Sequence, residues 1–137
     1  MLHTTITTVE RTVFDNENVK QISIPTAEGV VTILPNHVPL MAPLGMGEVL
    51  IVIKGEEKPY VLFVDGGILQ VVDNRVEILA NLAEHADELD EAKIEEAKRS
   101  AEKLLEENLL DVDMAQVEAS LQRELSRLNL VRKMQQK

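Results

Sequence analysis

One boundary in the sequence limits the fold more than any other feature. Up to about residue 82 the chain is written in short β-branched and aliphatic runs separated by turn residues. Beyond it, apolar residues recur at helical spacing. The joint between the two, Leu82-Ala83-Glu84-His85-Ala86-Asp87-Glu88-Leu89-Asp90-Glu91-Ala92-Lys93, is short and acidic. A change of period from 2 to 3.6 partway along 137 residues points to two parts built on different principles. The expected fold class is β plus α. An N-terminal all-β sandwich of short antiparallel strands spans residues 1–84, and an antiparallel α-helical hairpin spans residues 85–137.

The first part is punctuated throughout. Leu2–Val9 reads as a strand, Asp15-Asn16-Glu17-Asn18 as a turn cluster, and Val19, Ile22 and Ile24 as the next strand, leading to a turn at Ala27-Glu28-Gly29. Val30–Leu34 is a strand stopped by Pro35-Asn36. His37–Leu44 is extended, because residues that precede proline are pushed out of the helical region. Gly45 and Gly47 bracket a turn, Glu48–Ile53 is a strongly apolar strand, and Lys54–Pro59 is a hairpin loop. Tyr60–Val64 returns, and Asp65-Gly66-Gly67 allows a sharp bend or a close backbone approach. Ile68–Val72, a turn at Asp73-Asn74 and Arg75–Ala80 complete about eight or nine strands, the pattern of a sandwich or barrel. Several strands are apolar on both faces, so an outer face is expected to meet the helices or a partner.

In the second part Leu89, Ala92, Ala97, Ala101, Leu104 and Leu105 form an apolar stripe, with Ile94 beside it. Asp87 and Asp90 sit where a helix N-terminus favours an anion. A loop at Asn108–Val112 follows, and Asp113 with Gln116 fits a capping box. Met114, Val117, Leu121, Leu125 and Leu128 make the second stripe, extended by Leu130, Val131 and Met134. Two helices alone have little core and need a further surface to lie on.

Composition removes several function classes. There is no cysteine, so disulfides and thiolate metal sites are excluded, and a reducing compartment fits. His3, His37 and His85 are far apart, with no ligand spacing and no nucleophile motif, so no catalytic centre is expected. Gly66-Gly67 is followed by a strand and not by a helix, which does not make a phosphate loop. A formal charge of −10 and only three aromatic residues argue against nucleic acid. No apolar run is long enough to span a membrane and no basic leader is present, so a soluble cytoplasmic chain is expected. The charge is uneven: residues 1–112 carry 21 acidic and 9 basic side chains, whereas residues 113–137 carry 3 and 5. Arg123, Arg127, Arg132 and Lys133 therefore form a basic helix end suited to an acidic partner surface.

Gly29-Val30-Val31-Thr32-Ile33-Leu34-Pro35-Asn36-His37-Val38-Pro39-Leu40 resembles the strand-turn signature of the epsilon subunit of F-type ATP synthases. So do Gly66-Gly67-Ile68-Leu69-Gln70-Val71, Val76–Ala80, the joint Leu89-Asp90-Glu91-Ala92-Lys93 and the hairpin Asp111-Val112-Asp113. The order is the family's over nearly the whole chain. Thr32 and Asn36 stand where that family has glycine, Asp65 where it has serine, and Gln70 where it has glutamate. The resemblance implies a non-catalytic rotor subunit, peripheral on the cytoplasmic face of the inner membrane and held there only through the complex. The β domain would bind the gamma subunit and the c-ring near His37, Pro39, Leu40 and Met41. The hairpin would permit activity when folded down and block ATP hydrolysis when extended along gamma. Arg123, Arg127, Arg132 and Lys133 would then meet the alpha and beta subunits of the catalytic head. No cofactor is required. ATP is the regulatory ligand the family motif implies, on Glu84, Asp90 and Lys93. Lys93 replaces the motif's arginine and lacks its forked geometry, which predicts weak or absent binding. The alternative reading is a sandwich adaptor that docks a partner through its hairpin. A small enzyme is a third class, and it lacks clustered acid, base or metal groups.

Overall fold

The computed structural model describes residues 1–107 and 114–135. It contains strands β1 (Leu2–Thr7), β2 (Thr12–Thr26), β3 (Gly29–Ile33), β4 (Leu40–Pro43), β5 (Met46–Ile53), β6 (Tyr60–Val72) and β7 (Arg75–His85). A single 3-10 turn at Ala86–Glu88 leads to helices α1 (Glu91–Glu107) and α2 (Met114–Gln135). The chain divides into two compact units, Met1–Ala86 and Asp87–Lys137.

The first unit is the expected sandwich, with fewer and longer strands. The hydrogen-bonded order is β1-β7-β6-β5-β2-β3, with β4 on β6. β1 also pairs with β2, so the path closes on itself and leaves little open edge. All pairs are antiparallel except β1–β7, which is parallel. Asp15–Asn18 is not a turn: it lies inside β2. The first half of β2 pairs with β1 and the second half with β5 and β3, and the register shifts around Val19. The polar residues occupy that changeover with Asp15, Glu17 and Asn18 exposed, so turn-forming side chains are tolerated in a strand that changes partner. Likewise Gly47 lies inside β5, and Gly66-Gly67 bends β6 without ending it.

Period-2 alternation sorts the sheet faces. Residues paired across Leu40, Val71, Val76 and Thr4, and across Ala42, Leu69, Ile78 and Ile6, point inward. Leu69, Val71, Val76, Thr4 and Ile6 are fully buried, with Ile22, Ile51 and Leu62 from the other strands closing the core. The Asp73-Asn74 turn has positive φ at both residues (47° and 62°), the torsions of a type I′ hairpin.

In the second unit Ile94, Leu128 and Val131 are buried together, with Leu89 packed on them. This joins the start of α1 to the end of α2 and makes the helices antiparallel. The packed face of α1 is rotated from the expected stripe: Ile94 and Ala101 are buried, whereas Ala92 and Ala97 are exposed. A seven-residue step between Ile94 and Ala101 matches Val117, Glu124 and Val131 on α2, the spacing of a coiled-coil seam. On α2, Val117, Leu128, Leu130 and Val131 are buried, and Leu121 and Leu125 only half-buried. The expected loop at 108–112 and the cap at Asp113 lie outside the described residues.

Candidate functional site

The outward rows of the sheet are the first candidate surface. Pairing places Pro43, Ile68, Leu79 and Thr7 in one row across four strands, and Met41, Gln70, Glu77 and Thr5 in the next. Met41, Ile68 and Leu79 are 65%, 48% and 55% exposed, although each is large and apolar. Thr5, Thr7, Ile68, Gln70, Glu77 and Leu79 line a shallow hollow of about 500 Å³ between the rows. Large apolar side chains turned outward together on ordered strands make this face a candidate contact surface.

Of the residues expected there, Met41 lies in this face, with Leu40 turned to the core side of the same strand. Pro39 is exposed and His37 half-buried in the segment before β4. The His37 ring pairs through Nδ1 with the Val38 carbonyl at 2.6 Å, a local bond that fixes the loop. Asn36 adopts φ 66°, accepted readily by asparagine. Its N–H donates to Asn74 Oδ1 at 2.6 Å, and Asn74 Nδ2 donates to Asn36 Oδ1 at 3.2 Å. Two turns distant in sequence are thereby laced together beside the apolar face. Ile68 and Leu79 do not stand out in the sequence. The signal for them was present in the two-sided apolarity of their strands, but choosing the outer residue needs the register.

The hairpin carries the second candidate. Arg127 is half-buried and donates to both oxygens of Glu124, at 2.9 and 3.2 Å, and Glu124 itself is 5% exposed. Arg132 reaches across to α1, with Nη2 2.9 Å from Glu95 Oε1 and Nε 3.4 Å from Glu91 Oε1. Arg123 is half-buried and Lys133 exposed. Arg127 and Arg132 thus meet carboxylates of the hairpin itself.

The residues of the nucleotide motif fall on different elements. Glu84 is half-buried in β7, Asp90 precedes α1, and Lys93 is exposed on its first turn. Asp90 caps the helix, accepting from the N–H groups of Ala92 at 3.0 Å and Lys93 at 3.4 Å. Asp90→Ala should destabilise the hairpin by about 0.5–2 kcal/mol through loss of this cap. Thermal melts of the full chain with and without millimolar ATP should show that loss equally in both. Among the described residues no group of histidine and carboxylate side chains could hold a metal ion.

Comparisons with known proteins cover both units. Residues 1–86 match the beta-sandwich domain of the ATP synthase delta/epsilon chain family, and residues 87–132 match that family's long alpha-helix domain. The chain is 43% identical over 129 residues to the ATP synthase epsilon chain of Chloroflexus aggregans, covering 94% of this chain and 91% of that one. It is 41% identical over 127 residues to the same chain of Herpetosiphon aurantiacus, covering 93% and 91%. In fold it is similar to a chain of the Euglena gracilis mitochondrial ATP synthase, with TM-score 0.70 at 23% identity, covering 98% of this chain and 79% of that one. Both units and the order in which they follow one another are those of this family, and the chain belongs to it as an ATP synthase epsilon chain.

Proposed function

We propose that this chain is a non-catalytic subunit of the central stalk, which couples rotation of the c-ring to ATP synthesis and restrains ATP hydrolysis through its helical unit. The observation that carries the coupling role is the outward row of Ile68 and Leu79 with Met41 beside it. Rotation transmits torque, and torque needs a rigid element gripped on its surface. A sandwich whose strand path closes on itself, with an apolar outer face, supplies both. Gamma and the c-ring are the partners of this domain, engaged on that face and on the neighbouring segment His37–Met41.

The hairpin is the regulatory part. α2 carries Arg123, Arg127, Arg132 and Lys133 toward carboxylates of the alpha and beta subunits when it runs up along gamma. No cofactor takes part in coupling. ATP, held by Glu84, Asp90 and Lys93, is at most a weak regulatory ligand, because Asp90 already serves α1 as a cap and Lys93 offers a point charge. No helix among the described residues is long and apolar enough to cross a membrane. Attachment to the membrane is through the complex, on its cytoplasmic face.

Affinity purification of the tagged chain from its native membranes tests this reading. A gamma-like coiled coil and a c-ring should come with it, in a particle that hydrolyses ATP. Recovery of other partners without these two would favour a sandwich adaptor unrelated to ATP synthesis.

A further inference from the structure

Arg127 and Arg132 lie on the same helix, yet they are paired in different ways. The carboxylate partner of Arg127, Glu124, is on α2 itself, so the pair moves as one body. The partners of Arg132, Glu91 and Glu95, are on α1. Separating the helices leaves the Arg127–Glu124 pair intact and strips Arg132 of these two carboxylates. We infer that Glu91 and Glu95 form a clamp on Arg132 that holds the hairpin closed and withholds this cation from acidic partner surfaces, so that opening and arming are one event. This rests on the proposal that α2 acts on the catalytic head.

The placement favours such a device. Glu91 and Glu95 are one turn apart on one face of α1 at its N-terminal end, where the helix dipole favours anions. Arg132 is in the last turn of α2, where it favours cations. Beneath the clamp lie Leu89, Ile94, Leu128 and Val131, the packed cluster of the hairpin, so loosening the clamp exposes the contacts that join the two helices. The next seam position along α2 is the charged Glu124, not an aliphatic residue, which limits how far the apolar hold extends. Side-chain exposure separates the two arginines as well: Arg132 is 52% exposed and Arg127 21%. A competing carboxylate or phosphate can approach Arg132 without first dismantling the hairpin, and salt screens the clamp.

The test uses the full chain with cysteines introduced at Ala92 and Met134, both exposed in a protein that has none of its own, and spin labels for a distance distribution. At low ionic strength the parent should show mainly the short distance, and Glu91→Gln with Glu95→Gln should lower the closed-to-open ratio about three- to tenfold. The parent should approach the variant near 0.5 M salt, and the variant should respond little. Far-UV helicity is followed alongside and should be retained. An unchanged distance distribution in the double variant overturns the clamp, and so does a loss of distance and helicity together. In the reconstituted synthase the same variant should hydrolyse ATP more slowly at low salt. Opening with no change in hydrolysis would leave the clamp standing and refute the inhibitory role of α2 on which its regulatory meaning depends.

Discussion

Replacing Gly67 with alanine is expected to lower the thermal midpoint of the chain by about 15 °C or more, whereas Gly29→Ala should cost only a few degrees. The two glycines have nearly the same torsion, φ 121° and 128°, so the strain of placing an L-residue there is common to both. Their surroundings differ. A Cβ on Gly29 meets nothing within 4 Å, but one on Gly67 runs into the Leu79 carbonyl oxygen and stands 2.8 Å from Ala80 Cα. These are backbone atoms of the neighbouring strand, in register with Gly67, and cannot step aside without opening the β6–β7 ladder. Gly67 also bonds through its carbonyl to Leu44 N–H at 2.9 Å, so displacing it pulls on the chain that follows β4. Breaking such a junction costs ~3 kcal/mol or more, against ~5–15 kcal/mol for a whole domain. Each kcal/mol is about 4–8 °C for a unit of this size. Calorimetry on the two variants separates torsional strain from close approach, and equal losses would show that approach contributes nothing.

Turning the outer sheet face to charge should remove the chain from its complex without unfolding it. Met41→Glu, Ile68→Glu and Leu79→Glu replace exposed side chains, so the thermal midpoint should change little. At an interface the same positions would be desolvated. Each aliphatic side chain contributes ~1.5–3 kcal/mol on burial, and three buried carboxylates add a further penalty. A loss of more than about a hundredfold in affinity for gamma is expected. Titration of the folded variant against purified gamma measures it. Retained binding would move the partner surface elsewhere on the sandwich.

These residues show how far the sequence can be read. The turn at Asp73-Asn74 was legible because positive φ is a property of the residue types themselves. Gly66-Gly67 was legible as a bend or a close approach, and the structure shows how close. Asparagine and aspartate favour turns locally, but at Asp15–Asn18 pairing with two successive partners overrides that preference. In α1 the alanines suggested the stripe, but the larger Ile94 has more surface to bury and sets the rotation of the helix. Glu124 was invisible to any search for apolar spacing, since its burial depends on the Arg127 pair three residues on. The outward face was hidden for a related reason. Ile68 and Leu69 are both aliphatic, and only the register with β7 decides that Leu69 is core and Ile68 is surface.

The division of labour between the units is tested most directly by a synthase reconstituted with the chain truncated after Ala86, where the compact sandwich unit ends. The sandwich retains its whole core and its outer face, so assembly and coupling should survive. The helices proposed to carry the inhibitory charge are gone. Ion-driven ATP synthesis should stay within about twofold of the full-length complex, and ATP hydrolysis should rise severalfold, a release of only about 1 kcal/mol at the level of populations. Loss of synthesis or of assembly, or hydrolysis that does not change, would contradict the assignment of coupling to the sandwich and inhibition to the hairpin.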